Sequence, residues 1–414
     1  MWKHPWGFAE GWAICMGLLL TGIMLQLVAG PVDPALFRYP TNIIAGGVYI
    51  GILLLLHIIS TKNKALQWFA GLSAAVTAVA GFLFIVIVMG LTRQAPATAD
   101  LSGQGWIATV GFMQMTTSWP FLLLFIYFMS VLGLVTIKRI RNFRTAKDIP
   151  FLFNHAGLFL ALFSAILGSG DLQKLRMTVQ QDTPEWRALG ESGLLVELPL
   201  AIDLRSFTIE EYPPKIVMID NTTGRSLPEG NPQSLLVETV PVRDKILDWE
   251  VHVTHYLPMA ACYMSQDTVS FVEFHTEGAT TAVHIQATHR QTGVERTGWV
   301  SCGSYMFPYI ALTLDEAVSL VMPEPEPRRF ASDVMLYAQQ GEAKEVVIEV
   351  NKPVEIAGWK IYQLSYDESK GKWSRMSVFE LVRDPWIPFV YAGIGLMIVG
   401  AVSLFIMAPG KIED

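Results

Sequence analysis

The chain has 414 residues, 51% of them hydrophobic and 16% charged, with a net charge of −7 and a mean hydropathy of +0.37. That is too apolar for an ordinary soluble protein of this length and indicates an integral membrane protein, with the lipid bilayer as its first partner. No long basic run suggests nucleic acid. The three cysteines, Cys15, Cys262 and Cys302, form neither CxxC nor CxxCH, which excludes a thioredoxin-like thiol enzyme and a covalently haem-bearing cytochrome.

In chain order, Met1 to Trp12 holds Lys3, His4 and three tryptophans, an aromatic interfacial foot. The apolar run from Trp12 to Ala29 lacks a small-residue cleavage pattern and reads as a retained first span. Further spans are expected over about Ile43 to Ser60, Leu72 to Leu91 and Trp119 to Ile137, each near the ~20 residues that a crossing needs. The fifth lies in FLFNHAGLFLALFSAILGSGDL, Phe151 to Leu172. It has a basic flank at Arg144 and Lys147, a start signal in Asp148-Ile149-Pro150 and a stop in Gly168-Ser169-Gly170. On helical spacing, His155, Phe159, Leu162 and Ile166 share one face, and Gly157, Ala161 and Ala165 form a small-residue ridge on another. A sixth span, Ile387 to Met407, is entered through Asp384-Pro385-Trp386-Ile387-Pro388.

Positive charge sets the orientation. Lys62 and Lys64 mark one short loop, and Lys138, Arg139, Arg141, Arg144 and Lys147 mark another, so both loops and both termini are expected to be cytoplasmic. Residues 169–383 are then extracytoplasmic. They contain β-branched or aromatic runs broken by Pro, Gly, Asn and Asp: LLVELPLAIDL, SFTIEEY, KIVMID, SLLVETVPV, TVSFVEF, TAVHIQATH, KEVVIEV, WKIYQLSY and SVFELV. MPEPEPRR, residues 322–329, reads as an exposed extended connector. The expected fold is a polytopic α-helical membrane protein of six spans with a large extracytoplasmic all-β, sandwich-like domain. It divides into a two-span region 1–60, a three-span core 61–168, the β-rich domain 169–383, and a closing span with its tail, 384–414. There is no internal repeat.

His155 sits about a turn inside its span, where an ionisable side chain is costly without a partner, cavity or ligand. Two readings stand: an axial ligand to haem iron, with neutral imidazole donating a lone pair, or a histidine hydrogen-bonded to a neighbouring helix. His57, at a similar expected depth, is either a second haem ligand or a polar tip at the headgroup boundary. His252 and His255 are three apart, which on a regular strand points them to opposite faces, and His284 and His289 are separated by the same parity. A metal site would therefore need a turn or several strands. Cys262 and Cys302 share an oxidising compartment, and either a disulfide or two structural thiols fit. The outer tryptophans read as core for the most part. No hydrolase, phosphate-loop or paired-carboxylate signature is present.

Three blocks resemble one family. SWPFLLLFIYFM, then IKRIRNF, then NHAGLFLALFSAILGSG is similar to the paired middle spans of the ResB (CcsB) proteins of system II cytochrome c biogenesis. RRFASDVMLY followed by NKPVEIAGWKIYQLSYD resembles their late outer-domain signature, and RDPWIPFVYAGIGLMIVG their closing span. The resemblance covers roughly Leu72 to Ile406. It implies a bacterial-type inner-membrane protein that works with a CcsA/ResC-type partner to carry haem and attach it to apocytochrome c. Such a chain is a non-autonomous subunit of a haem lyase, the holocytochrome c synthase. The family's histidine before the outer domain matches His155, which would hold haem b transiently and share it with the partner. The family usually has four spans, so the two additional ones, and His57 with them, inherit nothing. Two rivals stand beside this reading: a haem b or quinone-linked electron-transfer subunit using His57 and His155, and a non-haem structural or sensory membrane protein.

Overall fold

The computed structural model describes residues 6–96, 99–101, 103–143, 145, 148–191, 193–265 and 268–407. Lys3, His4, Arg144, Lys147 and the C-terminal tail from residue 408 lie outside the described residues. The chain divides into two compact units, one of residues 1–173 with 383–414 and one of residues 174–382.

The first unit is helical: α1 (Phe8–Ala29), α2 (Thr41–Ser60), a short α3 (Lys64–Phe69), α4 (Leu72–Leu91), a one-turn α5 (Trp106–Thr109), α6 (Trp119–Arg141), α7 (Ile149–Gly168) and α8 (Ile387–Met407). Among the described residues, six of these are long and apolar enough to cross a membrane: α1, α2, α4, α6, α7 and α8. Their ends follow local chemistry. Glu10 accepts the Gly7 N–H at 2.8 Å and starts α1 ahead of the apolar run. Asn63 Oδ1 caps α3 by accepting from Ala65 and Leu66. Ser118 caps α6, with Pro120 in its first turn.

α6 is longer than its apolar stretch because Lys138, Arg139 and Arg141 extend its last turn, where cations complement the exposed carbonyls. Lys138 donates to the Ala70 carbonyl, and Arg139 pairs with Asp148. Asp148 therefore precedes α7 as an ion-pair partner and makes no side-chain cap. Most of α6 is buried, and it forms the centre of the bundle, with Phe82 of α4 stacked on its Phe128 at 5.1 Å.

α7 and α8 pack through glycine. A Cβ on Gly157 would lie 2.6 Å from the Gly393 carbonyl oxygen, and one on Gly393 would lie 2.6 Å from that of Gly157. Only bare backbone allows this approach, which replaces the hydrophobic driving force that lipid cannot supply. The buried stripe on α7 is Gly157, Ala161, Ser164 and Gly168. Ala165, expected on that ridge, is exposed, because the stripe drifts with 3.6 residues per turn.

The second unit is an all-antiparallel β domain among its described named strands. Its strands are β1 (Gln173–Gln180), β2 (Glu185–Gly190), β3 (Leu195–Glu211), β4 (Lys215–Asp220), β5 (Ser234–Leu236), β6 (Val242–Ile246), β7 (Trp249–Ser265), β8 (Thr268–Glu273) and β9 (Thr280–His289). They continue as β10 (Glu295–Ser301), β11 (Leu312–Thr313), β12 (Val318–Val321), β13 (Pro327–Ala338), β14 (Ala343–Glu349), β15 (Val354–Ile356), β16 (Trp359–Tyr366) and β17 (Met376–Arg383).

One sheet runs β14-β13-β3-β2-β1-β17-β16-β15. It rolls over its own core: Ser332 on β13 donates to Gln363 on β16 at 2.6 Å and meets Ser377 on β17 at 2.8 Å, although β3, β2 and β1 lie between β13 and β17 in the sheet. Leu175, Met177 and Val179 alternate inward along β1 and meet Ile202, Leu204, Val334, Trp359 and Phe379 in this core. The other two sheets, β10-β9-β7-β6 with β8 on β7 and β11-β12-β4-β5, face one another. Trp249, Val251, Val253 and Ile285 pack there against Ile216, Met218 and Leu320.

The expected runs LLVELPLAIDL and SFTIEEY are one continuous strand, β3, while SLLVETVPV is split between β5 and the start of β6. The segment 322–329 is not a plain exposed connector. Met322 is fully buried, and β13 begins at Pro327, where Arg329 pairs with Glu210 at 2.5 Å and Glu349 at 2.6 Å. Two carboxylates on the flanking strands hold that arginine in the sheet. The guanidinium, followed by Lys352, holds Glu349 down at about 2.

Candidate functional site

His155 is held in one orientation. Its Nδ1 lies 2.9 Å from the carbonyl oxygen of Phe151, one turn back. A carbonyl only accepts, so Nδ1 carries the proton and, in the neutral ring, Nε2 keeps its lone pair. The imidazole stacks on Phe151, with centroids 3.7 Å apart and planes 20° apart, and the Arg139 guanidinium lies 5.2 Å from that ring. Asp148 anchors Arg139. A charge pair at the helix end thus fixes an aromatic ring, which fixes the histidine.

The histidine lines a cavity of about 420 Å³ between helices. Phe82 and Val86 of α4, Phe128 and Leu132 of α6, Leu158 of α7 and Met397 of α8 form its apolar wall, and Asn154 is the other polar residue there. Asn154 is occupied, since its amide donates to the Pro150 carbonyl at 2.9 Å. The arrangement offers one oriented nitrogen donor beside hydrocarbon and stacked rings. Were a haem held here, His155 would supply one nitrogen donor and the stacked and aliphatic side chains an apolar wall.

His57 does not line this cavity. Its Nε2 is buried and has no hydrogen-bond partner among the described residues.

In the β domain, a bulge changes the expected parity. His252 pairs with Gln286 and His255 with His284, with a register shift at Thr254. Gln286 and His284 are two apart on β9, so His252 and His255 share a face instead of opposing. The Thr254 hydroxyl lies 2.9 Å from His284 Nδ1 and 3.1 Å from His255 Nδ1, so both rings turn that nitrogen inward to it. Burial, followed by the charge of His255, pushes His284 below the usual histidine value. His289 lies edge-on to Trp249 on the inner side. No group of three His, Cys, Asp or Glu side chains suited to a metal ion occurs among the described residues.

Cys262 and Cys302 are unbonded. Cys262 packs beside Phe271 and Trp299, where burial pushes its thiol up, while Cys302 packs against the core between the two facing sheets. Trp249 and Trp359 are core as expected, but Trp186 stands out at the surface.

Sequence reasoning missed Phe151, Arg139 and Met397 around His155. Phe151 and Arg139 carry a signal in their spacing and in the basic flank, but Met397 arrives from a helix more than two hundred residues away. It also missed Asp171, which accepts from the Tyr39 N–H, the Asn42 amide and the Trp386 indole and so ties the approaches to α2 and α8 to the end of α7.

The fold is that of a polytopic membrane protein carrying a large antiparallel β domain. Within that domain, residues 311–375 match the model of the ResB-like family, in agreement with the resemblance carried by the sequence blocks. The matched segment contains NKPVEIAGWKIYQLSYD, which forms β15 and β16. No curated protein matches the chain.

Proposed function

We propose that this chain is a membrane subunit of a haem-delivery and haem-attachment complex for c-type cytochromes, working with a CcsA/ResC-type partner in a bacterial-type inner membrane. The reading rests on His155, whose Nδ1 is engaged by the Phe151 carbonyl and whose ring lines an apolar cavity. The match of residues 311–375 to the ResB-like family supports it. Both termini are cytoplasmic in this reading, and the β domain lies outside, where an apocytochrome arrives.

When bound, haem supplies the iron and the vinyl groups. Each thioether forms as a cysteine S–H of the CxxCH client adds across a vinyl double bond, with no other atom lost. His155 holds and orients, Phe151 and Arg139 set its plane, and Phe82, Phe128 and Met397 exclude water. A CcsA/ResC-type partner would share the haem with His155. The electron-transfer alternative needs His57 beside His155, and His57 is not at the cavity.

The test is an absorption spectrum of the full chain co-expressed with a CcsA-like partner, for wild type, His155→Ala and His57→Ala. Loss of the Soret band with His155→Ala alone, and its recovery with added imidazole, is the expected result. A band unchanged by His155→Ala overturns the assignment, and a bis-histidine spectrum lost with either substitution favours electron transfer.

A further inference from the structure

We infer that a second cavity, in the β domain, is a binding site for an organic cation on an alkyl stem, the ammonium or guanidinium that basic side chains and free amines carry. The cavity, of about 330 Å³, is lined only by residues of the unit 174–382. Three segments distant in sequence meet there. The loop after β10 brings Tyr305, Phe307 and Tyr309, the residues between β12 and β13 bring Glu324, and the turn after β16 brings Glu368 and Trp373. Hydrogen bonds hold these segments in place. Ser304 donates to the Gly278 carbonyl at 2.6 Å, Thr280 to that of Gly303 at 2.8 Å, and the Trp373 indole to that of Ala279 at 3.0 Å. The segment that matches the ResB-like family supplies Glu324, Glu368 and Trp373.

Charge selects the guest. Lys372 pairs with Glu211 at 2.8 Å and Lys370 with Glu277 at 3.8 Å, so both ammoniums are already matched within the domain. Glu324 and Glu368 have no ion pair or side-chain hydrogen bond among the described residues, and both are exposed, so a guest reaches them from solvent. Four carboxylates thus stand against two ammoniums. The two unmatched ones belong to one place. A Cβ on Gly371, in the turn that carries Glu368, would lie 3.9 Å from Glu324 Oε1, and after burial the charges of Glu368 and Glu324 together push the Tyr366 phenol up. An anion would meet the excess charge, and a neutral guest would leave both carboxylates unanswered. A cation answers them, while the aromatic rings cover its stem and attract its charge through their π faces. No group of three His, Cys, Asp or Glu side chains suited to a metal ion occurs among the described residues, so the aromatic lining suits an organic cation. The inference rests on none of the observations at His155.

The test is calorimetric titration of the full chain in detergent, at low salt, with the peptide acetyl-Gly-Arg-Gly-amide and with its uncharged counterpart, in which citrulline replaces arginine. Saturable binding of the arginine peptide, about tenfold tighter than that of the citrulline peptide, is expected, and this comparison needs no variant. In Glu324→Gln/Glu368→Gln the arginine peptide should bind about tenfold more weakly. In Glu238→Gln/Glu342→Gln, which removes the same charge from exposed positions outside the cavity, its affinity should barely change. Agmatine, a free guanidine, separates the sources of the cation. Tighter binding than the peptide marks a small amine as the guest, and weaker binding marks a polypeptide side chain. Absence of saturable binding by either cation, equal affinity for the charged and uncharged peptides, or the same loss in both double variants overturns the inference.

Discussion

At the scale of single residues, orientation matters more than identity. His155 is one of eight histidines, and it is set apart by the Phe151 carbonyl on Nδ1 and the ring beneath it. Phe151→Ala keeps the carbonyl but removes the ring and the seat of Arg139. It should weaken haem retention in the co-expressed complex by about tenfold without abolishing it, as read by haem titration. Asp171 makes a separate prediction. Burial raises its carboxyl, but hydrogen bonds from Tyr39, Trp386 and Asn42, with the charge of Arg38, outweigh that and hold it below the usual carboxylate value. A carboxyl depressed by folding contributes stability above its unfolded value, and that contribution is lost as pH falls through the folded value. Asp171→Asn should therefore cost ~1 kcal/mol at neutral pH, the exposed part being screened, and flatten the acid limb of the thermal-melt profile.

At the scale of elements, two features depend on backbone proximity. The Gly157–Gly393 crossing leaves no room for a side chain, so Gly157→Leu must push α7 from α8. Overpacking typically costs about 1–3 kcal/mol, and here it also moves Met397 and His155 apart at the cavity they share. The expected result is a lower melting temperature in detergent and a lower haem yield, with Gly157→Ala intermediate. In the β domain, the Thr254 bulge sets the histidine face. Deleting Thr254 restores regular pairing downstream of Val253 or slips β7 by one residue, and a slip reverses every side chain beyond it. With regular pairing the His255–His284 NMR contacts should persist while both rings lose the Thr254 hydroxyl between them, and loss of those contacts with β9 retained would report the slip.

At the scale of the whole molecule, residues 174–382 have their own cores, and the rolled sheet closes on itself through Ser332, Gln363 and Ser377. Expressed alone, this unit should fold cooperatively, with β-type circular dichroism and a single melt. A non-cooperative melt would show that it depends on the helices. Its 29 acidic and 18 basic side chains give it a net charge of −11, more negative than the whole chain. Binding of a basic client segment should therefore weaken steeply as salt rises, which a salt series of client-binding assays measures.

Hydropathy and charge in the sequence determined the six spans, the position of the β domain and the choice of His155, because a bilayer imposes a length and a cost on charge that local composition must obey. Leu72–Leu91 and Ile387–Met407 were legible to the residue for that reason. Short strands such as β11 and β15 were not, since their pairing comes from distant partners and not from local propensity. The site divides the same way. An intramembrane histidine announces itself, but the Met397 wall beside it and the shared face of His252 and His255 depend on helix crossings and a bulge that bring together residues far apart in the chain. Those relations are set by packing in three dimensions, and only the tertiary structure decided them.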